Sequence, residues 1–128
     1  MNLLLAAASG AGFATVLLGA FGAHGLEGVL SAKELDWWET ATLYGLTHTA
    51  VAAAIGLVRR PFSAFGGWAM LLGVIIFSGT LYSLALGAPS FFGAITPIGG
   101  VGMLVGWSGL FMTALRWRTT QAHDERSL

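Results

Sequence analysis

The sequence predicts an all-α polytopic membrane protein, a bundle of four transmembrane helices with a short interfacial helix in the first loop. Three observations predict it. Of the 128 residues 55% are hydrophobic and only 9% are charged. A soluble surface is about 25–35% charged, so this chain cannot cover itself in water. The apolar residues fall in four runs, each near the roughly 20 residues that cross about 30 Å of hydrocarbon. The basic residues then sort by side. With four spans, Arg59, Arg60, Arg116, Arg118 and Arg126 share one side of the membrane, with Asp124 and Glu125 in the tail, and the other holds Lys33 with Glu27, Glu34, Asp36 and Glu39. Basic residues beside span ends favour the cytoplasm, which puts both termini there. Three or five spans would lose this partition.

Span 1 is expected over residues 3–22. No Lys or Arg precedes it, and Ala20-Phe21-Gly22-Ala23 resembles a cleavage site only loosely, so it is read as a retained helix. Residues 24–36 form the first loop. Within it Ser31 and Glu34 have capping-box spacing, which suggests a short interfacial helix. Trp37 and Trp38 follow and suit the membrane interface. Span 2 is expected over 40–58, stopped by Arg59, Arg60 and Pro61. Span 3 follows over 67–86, ending at the break Gly87-Ala88-Pro89-Ser90. Residues 91–95 are expected at the interface or in a re-entrant turn. Thr96 and Pro97 read as an N-cap and first helical residue for span 4, residues 98–115. Residues 116–128 form a polar cytoplasmic tail, expected to fray. No loop is long enough for a second domain.

Composition also excludes chemistry. The net charge is zero, which leaves no nucleic-acid footprint. There is no cysteine, so disulfides, thiolate nucleophiles and Cys-based metal sites are ruled out. No cofactor motif is present, and the histidines do not form a metal set.

Lipid is as apolar as leucine, so membrane helices associate by close packing at small residues. Span 1 carries such a stripe in Ser9, Gly12, Thr15, Gly19 and Ala23. Span 4 carries another in Gly99, Gly102, Gly106, Gly109 and Thr113, and span 3 offers Gly79, Ser83 and Gly87. These faces are expected to pack within the chain, against a second copy, or against another membrane protein.

His48 is the most informative polar residue. It lies about 13 Å into span 2 at about 1.5 Å per residue, near mid-bilayer, where ionisable groups are functional candidates. Tyr44 lies one turn earlier on the same face. Ser78 and Tyr82 of span 3 are expected to face this pair. A hydrogen bond to another helix accounts for His48 structurally; ligand binding or proton handling is the functional alternative. His24 lies at the end of span 1 and is expected to cap it. No nucleophile–base–acid spacing is evident, so support for an enzyme is thin.

The motifs resemble a known family. Gly19-Ala20-Phe21-Gly22-Ala23-His24-Gly25-Leu26, the pattern Trp38-x-Thr40-Ala41-x-x-Tyr44-x-x-x-His48, Phe77-Ser78-Gly79-Thr80-Leu81-Tyr82 and Thr96-Pro97-Ile98-Gly99-Gly100 occur in order, followed by Gly106-Trp107. They are similar to the signatures of the small membrane proteins grouped as domain of unknown function 423 (DUF423), which include YgdD-like proteins. Thr80 stands where members often have serine and keeps the hydroxyl. The resemblance implies a small multi-pass protein of a bacterial cytoplasmic (inner) membrane and supplies no mechanism. It marks His24, Tyr44, His48, Ser78, Tyr82, Thr96 and Pro97 as structural or ligand-contacting candidates. The expected function is structural or accessory, binding helices or lipid; the alternative is a small-solute or proton-coupled carrier using His48 and Tyr44.

Overall fold

The structure, a computed structural model, describes residues 1–58 and 61–124, with side chains described for 1–58 and 63–116. Arg59 and Arg60, expected to stop span 2, and residues 125–128 of the tail lie outside the described residues, as do the side chains of Trp117 and Arg118. The chain forms four helices: α1 (Leu3–Gly25), α2 (Ala32–Val58), α3 (Pro61–Ala85) and α4 (Phe92–Asp124). Each is long and apolar enough to cross a membrane. In hydrocarbon every backbone amide must be bonded within the segment, so even these glycine-rich runs adopt the helix.

The helix ends follow local chemistry. The Asn2 side chain caps α1 by accepting from the Leu5 N–H at 3.2 Å, and donates to the Gly56 carbonyl of α2 at 2.6 Å. The turn after α1 places Gly28 at φ +77°, a region that favours glycine. Ser31 and Glu34 form a reciprocal capping box: the Ser31 N–H donates to the Glu34 carboxylate at 2.7 Å, and the Glu34 N–H to Ser31 Oγ at 3.4 Å. That box opens α2 itself. The separate interfacial helix expected in the first loop is therefore the first two turns of a 27-residue helix. At about 1.5 Å per residue α2 is about 40 Å long, so its charged start extends beyond the hydrocarbon.

Pro61 opens α3, a position where its missing N–H costs nothing. α3 ends in a Schellman motif: Ala88 N–H donates to the Ser83 carbonyl at 2.9 Å, Gly87 N–H to Leu84 at 3.0 Å, and Gly87 adopts φ +89°. Gly87 is thus a stop signal and not part of a packing face. α4 starts at Phe92, six residues before the expected Ile98, so the interfacial stretch belongs to the helix. Thr96 is not an N-cap. It lies in the second turn, and its hydroxyl hydrogen-bonds the Phe92 carbonyl at 3.1 Å. α4 also runs on to Asp124, so the first part of the expected tail is helical.

The helices pack in sequence order, each antiparallel to the next. Along α1 and α2, Gly12 meets Thr49, Gly45 meets Thr15, Gly19 meets Thr42 and Gly22 meets Trp38. Ser78 of α3 reaches Ala41 of α2, and Tyr82 reaches Thr42. The α3–α4 contact is the most extensive, and glycine forms it. A methyl group on Gly73 would lie 2.5 Å from the Met103 nitrogen and 2.7 Å from the Gly99 oxygen. One on Gly106 would lie 2.9 Å from the Gly66 oxygen. α3 is the most buried helix, with α2 and α4 beside it. α1 touches α3 lightly, and no extended contact joins α1 to α4 among the described residues. Two apolar clusters fill the ends: Leu26, Trp38, Leu81 and Tyr82 at one, Leu4, Ala8, Ile55 and Leu71 at the other.

Gly79 departs from the expected packing stripe, because nothing lies within 4 Å of where its Cβ would be. This contrast gives a test. Gly73→Ala forces two backbones apart and is expected to cost about 1–3 kcal/mol, the usual range for overpacking. Gly79→Ala is expected to leave stability unchanged or raise it by about 0.5–1 kcal/mol through helix propensity. Reversible unfolding of both variants in the same detergent measures the difference.

Candidate functional site at the junction of α2, α3 and α4

The buried side of α2 carries Trp38, Ala41, Gly45, His48, Thr49, Ala52 and Ile55, the three- and four-residue spacing of one helical face. Small residues admit the neighbouring helices, and larger polar ones find fixed partners. Trp38, expected at the membrane interface, is 3% exposed. Its indole N–H donates to the Leu18 carbonyl of α1 at 2.9 Å, and its ring lies edge-on to Tyr82 at 4.6 Å between centroids. The glycine at Gly22 admits the indole.

Most core hydroxyls are spent internally. Ser78 Oγ donates to the Ala41 carbonyl at 2.8 Å. Thr42 donates to the Trp38 carbonyl at 2.9 Å, so the Tyr82 hydroxyl, 2.9 Å away, donates to Thr42. Thr80 and Thr96 join α3 to α4 through their hydroxyls at 2.8 Å. Ser78 and Tyr82 were expected to face His48 and Tyr44. The structure pairs them instead with the Ala41–Thr42 turn, because α3 meets α2 at Gly45, where Ser78 lies against the glycine. His24 is exposed in the last turn of α1, about 18 Å along the axis from the level of His48 at 1.5 Å per residue. It does not join the others.

His48 and Tyr44 do come together, and Trp107 joins them. The two rings stack almost parallel, 7° apart with centroids at 5.6 Å. Tyr44 also packs on Phe77 of α3 at 4.7 Å, and Trp107 of α4 stands nearly perpendicular to His48 at 6.2 Å. His48 Nδ1 lies 2.9 Å from the Tyr44 carbonyl. A carbonyl only accepts, so Nδ1 carries the hydrogen, and in the neutral ring Nε2 presents a lone pair.

His48 is 9% exposed, Tyr44 39% and Trp107 45%. Among the described residues, His48 Nε2, the Tyr44 hydroxyl and the Trp107 N–H have no hydrogen-bond partner. No fully buried side-chain nitrogen or oxygen lacks a partner there. His48 Nε2 therefore opens onto the outer surface, along a seam where side chains of α2 and α4 approach each other over α3 while the two helices themselves pack on α3. Further along this seam an open groove of about 270 Å³ is lined by Val51, Ile55, Val58, Leu110 and Ala114, with Ser63 and Thr113. In the sequence Trp107 stands out only as part of the Gly106-Trp107 motif. Its position well inside span 4 was the available signal, but its meeting with His48 depends on the register of two helices that are not neighbours in the chain. Among the described residues no three His, Asp or Glu side chains gather closely enough to hold a metal.

Comparison with known proteins agrees with this architecture. The family described as "Protein of unknown function (DUF423)" matches residues 18–100. The UPF0382 membrane protein SERP0230 of Staphylococcus epidermidis is 46% identical over 102 residues, covering 77% of this chain and 84% of the relative. The UPF0382 membrane protein YwdK of Bacillus subtilis is 38% identical over 105 residues, covering 78% and 85%. The UPF0382 inner membrane protein YgdD of Escherichia coli is 38% identical over 118 residues, covering 89% and 88%. No solved structure matches.

The paired core and the unpaired seam should respond differently to mutation. Trp38→Ala empties a packed site and is expected to cost about 3–5 kcal/mol. Tyr44→Phe removes only an unpaired hydroxyl and is expected to stay within about 0.5 kcal/mol of the parent. Unfolding curves of the two variants in one detergent measure both.

Proposed function

This chain belongs to the DUF423 family, and we propose that it acts as an accessory membrane protein that docks a molecule of the lipid phase, a helix or a lipid, on its lateral surface. The observation that carries this reading is the cluster of unpaired polar atoms on Tyr44, His48 and Trp107. In hydrocarbon an unsatisfied polar group is costly, and a bound partner removes that cost. A second copy of the chain or another membrane protein fits the reading as well as a lipid does. The carrier alternative draws on the same His48 and Tyr44, but Ser78, Tyr82 and Thr96, which would extend a polar path, are committed to internal hydrogen bonds. The proposed orientation has both termini in the cytoplasm. It rests on the five arginines of one side against Lys33 on the other.

Two experiments test these proposals. The chain has no native cysteine, so single-cysteine variants report cleanly. Ser31→Cys is expected to react with an impermeant maleimide in intact spheroplasts, and Ser127→Cys only after permeabilisation; the reverse pattern overturns the orientation. For function, the protein is extracted in native lipid discs and compared by mass spectrometry with a Tyr44→Phe, Trp107→Phe double variant of equal stability. A retained lipid or protein is expected on the parent and lost from the double variant. Equal retention by both removes the docking function from this seam.

A further inference from the structure

Chemical complementarity at the seam narrows what it binds. His48 is more than nine-tenths buried, and its orientation is set by the Nδ1 bond to Tyr44 and by the Tyr44 and Trp107 rings. Its Nε2 presents a lone pair. The Trp107 N–H can only donate, and the Tyr44 hydroxyl can do either. A group that satisfies this set must donate to Nε2 and accept from a neighbour. A hydroxyl does both. A carbonyl or ether accepts only and leaves Nε2 unanswered. An ammonium donates only, and its charge is expensive at this depth.

The groove supplies the second half of the argument. Val51 lies one turn beyond His48 on α2, and Leu110 one turn beyond Trp107 on α4. Both line the apolar groove that continues along the same seam. The Thr113 hydroxyl in its wall is tied to the Gly109 carbonyl at 2.8 Å, so it offers an incoming chain no free donor. Water alone would answer Nε2 but would leave this groove unexplained. At about 270 Å³ the groove is near the small end of ligand sites, suited to one hydrocarbon chain.

The geometry points to a site for an uncharged lipid bearing a hydroxyl: the hydroxyl donates to His48 Nε2 with Trp107 and Tyr44 as flanking partners, and the chain lies between α2 and α4. This inference rests on the docking function proposed above and names the occupant. Long-chain alcohols and the quinol heads of prenyl lipids share the required chemistry.

The test uses the full chain in nanodiscs of dioleoylphosphatidylcholine, with 15N-labelled histidine. The His48 Nε2 resonance is assigned with His24→Gln and His123→Gln variants, and His48 itself is left intact. Three probes are titrated: 1-hexadecanol, its methyl ether, and decylubiquinol kept reduced. Hexadecanol is expected to shift the Nε2 resonance saturably, and the ether, which has no hydrogen to donate, is expected to leave it in place. Trp107→Phe, checked for an unchanged thermal melt, is expected to weaken the alcohol about three- to tenfold, the loss of one hydrogen bond. Tighter binding of decylubiquinol assigns the site to a quinol head; equal or weaker binding assigns it to an aliphatic alcohol. An unmoved Nε2 resonance with both hydroxyl probes, or equal shifts from alcohol and ether, overturns the inference. If the parent meanwhile keeps a protein partner that the Tyr44→Phe, Trp107→Phe variant loses, the docking function stands with a different occupant. If the two retain the same molecules, both readings fall.

Discussion

The structure depends on how closely two helix backbones can approach where water is absent. Leucine gains nothing by leaving lipid for another leucine, so contact must come from dispersion at short range and from hydrogen bonds between helices. The α3–α4 pair meets this constraint with glycine on both sides. Gly66 and Gly73 face Gly99, Gly102, Gly106 and Gly109, and at Gly73 and Gly99 even a methyl group would overlap the opposing backbone. The α1–α2 pair uses a mixed solution, in which a glycine or threonine on one helix receives a larger side chain from the other, as Gly22 receives Trp38.

Close approach has a second consequence. With α2 and α4 both packed onto α3, only their large side chains bridge the space between them. Tyr44, His48 and Trp107 occupy that line, with Phe77 of α3 beneath Tyr44. Ring packing and the one Nδ1 bond to the Tyr44 carbonyl hold these side chains without using Nε2, the Tyr44 hydroxyl or the Trp107 N–H. The same packing therefore fixes the imidazole and leaves Nε2 uncommitted. In the centre of the molecule the opposite holds: hydroxyls there reach a carbonyl four residues back or a partner on the next helix.

Much of the fold was legible in the sequence, because length and hydropathy act within each span. Four apolar runs became four helices, and the Ser31–Glu34 spacing identified a true capping box. What misled were features with two physical meanings. Ser31 and Glu34 announce a helix start but not its length, so the start of α2 read as a separate element. Thr followed by Pro suits an N-cap, yet Thr96 equally well returns its hydroxyl to Phe92 inside a helix, and Pro97 is tolerated early in α4. Gly73 and Gly79 are the same residue in the same helix. Only the azimuth of α4 distinguishes the contact from the open face.

The site was legible in part for the same reason. Tyr44 and His48 are one turn apart, so their juxtaposition follows from helix geometry alone. Trp107 requires knowing that α4 packs on α3 on the side that faces His48, and Ser78 requires the depth at which α3 meets Gly45. Those are tertiary facts. They also determine the chemistry: had Ser78 reached His48, Nε2 would have found a donor within the chain, and the imidazole would be one more internal interhelical bond. Because Ser78 is drawn to Ala41 by the small surface at Gly45, the lone pair on Nε2 is left for a donor from outside the chain.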